Sequence, residues 1–390
     1  MNRYEQRRRR VLDQLQFGEM MVLYSGESVA CSMDEGFDFE ANHHFFYLTG
    51  LRRENMALVL ANTHRPAHVI LFIEEPIPDM ERWTGRRVTI DEARAVSGID
   101  DVRYIDSVDS LISRCIARET VEAAYFDCYR NAMGDVDSYN MHKAKRFMQA
   151  YPAITLKDAH PMIAAMRMVK DEDEVKTLER AITVTDQGLR RVLATLEPGR
   201  MEYQQQAEFE YEIRMQGAER VSFPTIAGSG MNGCMLHYGT NQCKLEDGKL
   251  LLLDLGARVD GYCADITRTY PINGKYTPRQ KQIYDIVLRA NREVAKAARP
   301  GVTLRELNDL CKKVLAEGLT AIGKIQSADE IGRYYMHGVS HHLGIDVHDV
   351  TAAWNDKLRP GAIITDEPGL YIDEWEIGIR IEDDILITED

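Results

Sequence analysis

The chain lacks what would mark it for a membrane, a nucleic acid or an oxidising compartment. No apolar run approaches the ~20 residues of a membrane-spanning helix. Its seven cysteines, at 31, 115, 128, 234, 243, 263 and 311, are scattered, odd in number and without a CxxC pair. That usage excludes a disulfide framework and points to a reducing cytosol. Positive charge is also in deficit, with 48 Lys and Arg against 62 Asp and Glu and a net charge of −14. A nucleic-acid binder needs a basic face to meet phosphates, so that class is excluded. The one basic cluster, Arg7 to Arg10, lies in a short N-terminal stretch with helical spacing. Asp13, Gln14, Gln16 and Glu19 break the apolar core that a secretory signal would require. What remains is the composition of a soluble globular protein, 44% hydrophobic and 28% charged. At 390 residues it is long enough for two cores.

Residues 1–160 read as an α/β domain. Met20–Tyr24, Phe45–Thr49, Met56–Ala61 and His68–Phe72 are short β-favouring runs, and helical stretches follow near Asp91–Ser97, Ser107–Arg118 and Ser138–Ala150. The His43-His44 pair reads as a strand edge, and Glu81–Arg87, which contains Trp83, as a surface loop. Asp158–Met168 reads as a linker into a helix capped by Asp171, whose apolar stripe runs from Val175 to Leu196 before Pro198-Gly199. A second helix, about Tyr203–Gln216, follows. The same plan recurs from Thr277-Pro278 to Pro300-Gly301 and again from Thr303 to Leu319. The repetition predicts a second domain over 165–390, built of two similar halves with the active site where they meet.

Chemistry concentrates in three places. In Leu250–Tyr270, LLLLDLGARVDGYCADITRTY, an Asp260-Gly261 turn folds two strands into a hairpin. That register sets Val259 opposite Tyr262 and Asp254 opposite Thr267, so Asp254 and Asp265 share one face as diagonal neighbours. A second hairpin turns over Asp373–Glu376 and sets Glu367 opposite Glu382. Two like charges opposed in an apolar sheet are destabilising unless a cation or a proton sits between them. Between the hairpins, His337, His341, His342 and His348 fall within twelve residues, read as a histidine-rich strand, because Gly338 and Gly344 disfavour a helix. Two carboxylate pairs and a histidine predict a two-metal site whose oxygen-rich donors favour Mn²⁺, Co²⁺ or Fe²⁺ over thiolate-type zinc.

In this order Asp254, Asp265, His341, Glu367 and Glu382 resemble the five-ligand set of the pita-bread metallopeptidases. The words HGVSHHLGIDVHDV, EPGLY and GIRIEDD, with SGMNGCMLHY and DITRTYPINGKYT upstream, are similar to aminopeptidase P, the Xaa-Pro aminopeptidases. FFYLTG and WTGRR resemble the creatinase-type N-terminal domain. The resemblance implies an α/β N-terminal domain and an α+β pita-bread C-terminal domain with a pseudo-two-fold internal repeat. It implies two divalent ions, Mn²⁺ first: Asp254 on one, His341 and Glu367 on the other, Asp265 and Glu382 bridging. A shared hydroxide would attack the N-terminal Xaa-Pro bond of proline-containing peptides, making the protein a metal-dependent exopeptidase. Glu367 would shuttle the proton, His237 and His348 would hydrogen-bond substrate and oxyanion, and His337 would shape the site. Trp83 and Arg380 are the implied substrate contacts. Trp83 would come from a neighbouring subunit, which makes a homo-oligomer, dimer or tetramer, part of the site.

The nearest rival is prolidase, which uses the same ligands on dipeptides. Creatinase, metal-free on the same fold, and non-catalytic peptide-binding modules lack the full ligand set, and a methionine aminopeptidase lacks the large N-terminal domain. Relatives often carry an Arg where this chain has Phe37–Asn42, and His348–Glu367 is short with Lys357 and Arg359 as its basic residues. The sequence also ends soon after Glu382, without the tail of many relatives.

Overall fold

A computed structural model describes residues 2–352 and 356–389, so 353–355 of the His348–Glu367 segment lie outside the described residues. The chain divides into two compact units, one up to Met166 and one from Arg167 onward.

In the first unit, β1 (Glu19–Tyr24), β2 (Ala57–Asn62), β3 (His68–Ile73), β4 (Asp101–Tyr104), β5 (Ala123–Phe126) and β6 (Thr155–Asp158) form one mixed sheet in the order β4-β3-β2-β1-β5-β6. The central strand β1 reads EMMVLY and is buried at every position, as a strand covered on both faces must be. Helices α1 (Arg3–Leu12), α2 (His43–Thr49), α3 (Pro78–Thr84), α4 (Ile90–Ser97), α5 (Val108–Arg118) and α6 (Tyr139–Ala150) connect the strands. The run Phe45–Thr49 reads as a strand but forms the body of α2. The Asn42 side chain caps it at Phe45 N, Gly50 closes it at φ 75°, and every residue from His44 to Thr49 is buried. With no polar face, the sequence shows no helical period. His43-His44 therefore opens a helix rather than edging a strand, and His44 Nε2 lies 3.0 Å from His160 Nδ1. Asp158–Met168 is not a linker: β6 runs to Asp158 and α7 (His160–Arg167) follows, burying Ile163, Ala164 and Met166. Pro161 sits in the first turn, where its missing N–H costs nothing. Glu81–Arg87 is helical to Thr84 and only then a loop, and Trp83 is 87% exposed on α3.

The second unit repeats one plan. Helices α8 (Glu172–Thr195) and α9 (Glu202–Met215) pack together, as do α10 (Pro278–Ala297) and α11 (Leu304–Ala321). Asp171 with Glu174, Thr277 with Gln280 and Thr303 with Glu306 form capping boxes that start α8, α10 and α11. Around the first pair lie β7 (Arg220–Val221), β8 (Ile226–Ser229), β9 (Leu250–Leu255), β10 (Ala257–Val259), β11 (Tyr262–Cys263) and β12 (Ile266–Pro271). After the second pair come β13 (Ile363–Asp366), β14 (Gly369–Ile372), β15 (Ile377–Arg380) and β16 (Asp383–Leu386). Strand alternation divides β9 between two environments. Leu251, Leu253 and Leu255 join the core of α8 and α9, while Leu252 packs with Ile226, Tyr238 and Tyr371. Asp254 lies on the Leu252 side. In the second hairpin Leu370, Ile372, Ile377 and Ile379 join the core of α10 and α11, and Tyr371 faces Leu252. Each helix pair thus backs one hairpin, and Asp254 and Thr267 of the first hairpin and Arg380 and Glu382 of the second are left on the faces turned from the helices.

Gly256 marks the tightest point between the two aspartates. A Cβ there would lie 1.8 Å from the carbonyl oxygen of Ala264, which is backbone and cannot swing aside. Gly256→Ala is expected to cost about 1–3 kcal/mol through forced separation of the strands. Thermal unfolding should show Tm reduced by roughly 2–10 °C. An unchanged Tm would mean the hairpin is not packed this closely.

Candidate metal centre

The site begins with hairpin register. Asp260 and Gly261 both have positive φ, 49° and 85°, as a type I′ turn requires. Val259 pairs with Tyr262 and Asp254 with Thr267, so one register persists from the turn to the site. In the second hairpin, Ile372 pairs with Ile377 and Gly369 with Arg380, and beyond the break Asp366 pairs with Asp383. The Ile381 N–H donates to Pro368 O across the break. Glu367 and Glu382 therefore occupy opposed positions between the two ladders. The hairpins meet where Glu382 N donates to Thr267 O at 3.0 Å and Thr267 Oγ1 donates to Glu382 Oε2 at 2.6 Å.

The histidine segment is not a regular strand; among the described residues its ladder contact is a bridge from His342 to Ile364. It is extended along β13 through Glu367 N to Val339 O, Thr365 N to His341 O and Leu343 N to Ile363 O, at 2.9–3.1 Å. Gly344 O then accepts from Cys263 N of the first hairpin, at 2.8 Å. Bending from one hairpin to the other breaks the ladder and delivers His341 between them.

Ligand-type atoms of Asp265, His341 and Glu382 all lie within 4.8 Å of one another. His341 Nε2 is 3.4 Å from Asp265 Oδ2 and 3.6 Å from Glu367 Oε1. His341 Nδ1 lies 3.0 Å from His342 O, a pure acceptor, so Nδ1 carries the proton and Nε2 presents its lone pair to the carboxylates. Asp254 Oδ1 and Asp265 Oδ1 are buried and meet no hydrogen-bond donor among the described residues. The Nε2 lone pair is repelled by the carboxylate oxygens beside it, and a divalent cation is the partner that it and the orphaned oxygens fit.

The electrostatics agree. Burial, reinforced by Glu382 and Asp254, holds the Asp265 carboxyl well above the usual range, and burial with Glu367 and Asp254 does the same to Glu382. Burial raises Glu367 to about 8, with Arg380 opposing and Asp254 adding to the shift. His341 and His337 are lowered to about 4, chiefly by burial, with His348 adding to the first and Arg380 to the second. Burial and then His237 lower His348 as well. All three imidazoles are neutral near pH 7 and so able to act as ligands or single donors.

Arg380 lines the cavity, but its three nitrogens are engaged by the protein. Nη2 donates to Asp254 Oδ2 at 2.5 Å, Nη1 to Tyr371 Oη at 2.8 Å and Nε to Thr267 Oγ1 at 3.2 Å. Tyr371 Oη in turn donates to His337 Nε2 at 2.8 Å, because His337 Nδ1 donates to Gly338 O. One guanidinium therefore orients Asp254, Tyr371 and, through Tyr371, His337. A cavity of about 700 Å³ opens over the cluster, with His237 and His348 in its wall and an apolar side of Phe223, Pro224, Ile226 and Leu236. Trp83 belongs to the other unit.

Sequence spacing misses the residues that hold the histidine loop. Arg167 donates to Asp346 at 2.7 Å and to Asp349 at 2.5 Å, and Lys170 donates to Asp349 at 3.0 Å. Burial opposes charge on Asp349, but Arg167 and Lys170 outweigh it and hold the carboxyl below its usual range. The partners are about 180 residues apart in sequence, and no local pattern links them.

Comparison with known proteins gives this geometry its family. Residues 176–389 match metallopeptidase family M24, and residues 4–124 match the aminopeptidase P N-terminal domain. The chain is 35% identical to the Xaa-Pro aminopeptidase of Escherichia coli, over 99% of this chain and 92% of that protein. It is 29% identical to Xaa-Pro aminopeptidase 3 of Homo sapiens, over 95% of this chain and 77% of that one. A Bacillus anthracis structure provisionally assigned as an aminopeptidase P superposes with a TM-score of 0.97 at 39% identity, covering 100% of this chain and 93% of its own. Escherichia coli aminopeptidase P with the inhibitor Pro-Leu gives 0.89 at 33% identity, covering 99% and 92%. Both units carry the likeness, and the cluster between the two hairpins has the donors a divalent ion needs: the chain belongs to metallopeptidase family M24, in its aminopeptidase P branch, and is a metal-dependent exopeptidase.

Proposed function

We propose that the protein removes the N-terminal residue from peptides with proline in second place, hydrolysing the Xaa-Pro bond with two divalent ions. The observation that carries the reading is the convergence of Asp254, Asp265, His341, Glu367 and Glu382 at the floor of one 700 Å³ cavity with an apolar side wall. An Xaa-Pro bond has no N–H at its nitrogen and a restricted geometry on both sides, so a peptidase that grips that N–H cannot use it. A site built on ions and an apolar wall needs no such grip.

In this reading Asp254 would hold one ion, His341 and Glu367 would hold the other, and Asp265 and Glu382 would serve both. When bound, two such ions lower the pKa of water until it ionises near neutral pH and polarise the scissile carbonyl. The oxygen-rich donor set suits Mn²⁺. Glu367, beside His341 in the cavity, would take a proton from water and pass it to the leaving nitrogen. His237 and His348, on the cavity wall, donate hydrogen bonds to substrate and oxyanion. His337 has both nitrogens engaged and acts by shaping the wall. Arg380 acts through Asp254 and Tyr371 rather than by gripping peptide. Trp83, exposed on α3, fits a contact with a second copy of the chain, so that a homo-oligomer completes the site. Seven free thiols support a cytosolic location. Among the described residues no helix is long and apolar enough to cross a membrane.

Incubating the protein stripped of metal, with and without Mn²⁺, with Arg-Pro-Pro, Ala-Pro and Ala-Ala-Ala tests the reading. Metal-dependent release of Arg from Arg-Pro-Pro is expected. Cleavage of Ala-Pro alone would make the protein a prolidase, and no cleavage with metal bound would leave a binding module. Asp265→Asn and Glu382→Gln should each cut kcat/KM by more than about 100-fold, since even outer-shell partners of a metal cost 10–100-fold. Circular dichroism should stay native, and a variant with full activity would remove the bridging role.

Metal stripping also has a pH signature. Asp265, Glu367 and Glu382 have carboxyl pKa values raised above those of an unfolded chain, about 4. Rising pH therefore favours unfolding of the metal-free protein, and the share due to Glu367 is lost by about pH 8. Bound ions select the ionised carboxylates and reverse that loss. The Tm difference between Mn²⁺-loaded and metal-free protein should widen from pH 5.5 to pH 8. A gap that narrowed over this range would contradict the assigned ligands.

A further inference from the structure

Glu202, the first residue of α9, has no part in the chemistry above, yet its carboxylate is fully buried and fully used. Oε1 accepts from Ser229 N at 2.8 Å, Ser229 Oγ at 2.7 Å and Asn232 Nδ2 at 3.0 Å. Oε2 accepts from Tyr238 Oη and from Cys243 N, both at 2.8 Å. All five partners lie between 229 and 243, whereas Glu202 stands on a helix whose Phe209 and Ile213 are anchored in the core with α8. The segment so gathered carries Leu236, His237 and Gly239 to the cavity wall. His237 is exposed, and its ring makes no hydrogen bond among the described residues. Its place is therefore set by its backbone, and the next residue, Tyr238, is the one tied to Glu202. Asn241 pins the far side of the turn, accepting from Ala227 N at 3.0 Å and donating to Thr225 O at 2.7 Å.

We propose that Glu202 is a positioning residue for the peptidase reaction, fastening the 229–243 segment so that the His237 imidazole is held in the cavity wall. The inference rests on the reading in which His237 touches substrate. The cage is made of donors. Ser229 N–H on one oxygen and Cys243 N–H on the other cannot accept, so a glutamine at 202 must turn its own NH₂ toward one of them. The isosteric change Glu202→Gln thus leaves an unpaired N–H where the native carboxylate accepted one, and frees the segment without altering its volume.

Three measurements on the full chain test this. Glu202→Gln should lower kcat/KM by roughly 10–100-fold, mostly in kcat, up to the loss expected for one oxyanion donor. Two ions per chain should remain by elemental analysis. The effect should vanish in a cycle with His237→Ala: the double variant should be no slower than His237→Ala alone. Losses that multiply would show that Glu202 acts elsewhere and would overturn the proposal. Hydrogen exchange should rise in 229–243 while β9 and β15 stay protected, and unchanged exchange there would also overturn it. If the wild type cleaves no Xaa-Pro peptide, the functional reading and the catalytic role fall together, and exchange still reports whether Glu202 fastens the segment. Should Glu202→Gln not fold, Tyr238→Phe removes one of the five donors, and a loss of about 2–10-fold in the same non-additive pattern is expected.

Discussion

Repulsion among buried carboxylates governs the second unit. Asp254, Asp265, Glu367 and Glu382 line one cavity, and among its described lining residues Arg380 is the one cation. Two unit charges about 4 Å apart repel by roughly 4 kcal/mol even at an effective dielectric of about 20. One guanidinium cannot balance four such groups. In the metal-free protein the excess pushes the Asp265, Glu367 and Glu382 carboxyls up, toward their protonated forms. Divalent ions would relieve it more fully, and the same arrangement that makes the empty cluster unfavourable makes it selective for them.

Holding that cluster together requires stiffness from outside it. Each hairpin is backed by its own helix pair, and Thr267 joins the two where it meets Glu382. Arg380 adds a second tie by reaching Asp254, Thr267 and Tyr371 at once, which a lysine with its single ammonium could not do. On the far side the buried Arg167, Lys170 and Asp349 anchor the loop that carries His348. Glu202 stands in the same relation to His237. The His237 and His348 imidazoles on the cavity wall thus sit a few residues from charged or donor-rich cages.

The division of labour between the units follows the same physics. The sheet core of the first unit is apolar, from Met20 and Val22 to Ala144 and Phe147, and β1 is buried on both faces. The second unit gives over the equivalent inner faces of its hairpins to polar residues and recovers stability by burying Leu251, Leu253 and Leu255 on one side and Ile372, Ile377 and Ile379 on the other.

Much of this is legible without coordinates because it is local. Asp260-Gly261 sets a two-residue turn, and counting outward from it places Asp254 opposite Thr267, as the strands pair. The four-residue turn Asp373–Glu376 does the same for Glu367 and Glu382, and Asp171, Thr277 and Thr303 announce the helices they cap. Where burial erases the pattern, as in His44–Thr49, periodicity has nothing to report and a helix reads as a strand. The histidine segment reads as a strand for a different reason: its bend is imposed by bonds to β13 and to Cys263, both distant in sequence. Arg380 with Asp254, Arg167 with Asp349 and Glu202 with Tyr238 were beyond any reading of spacing. Turn chemistry and periodicity act over a few residues, so the sequence by itself determined the hairpins, the helices and which carboxylates oppose. Partner choice across 36 to 182 residues depends on how those pieces pack, and only the tertiary structure decided it.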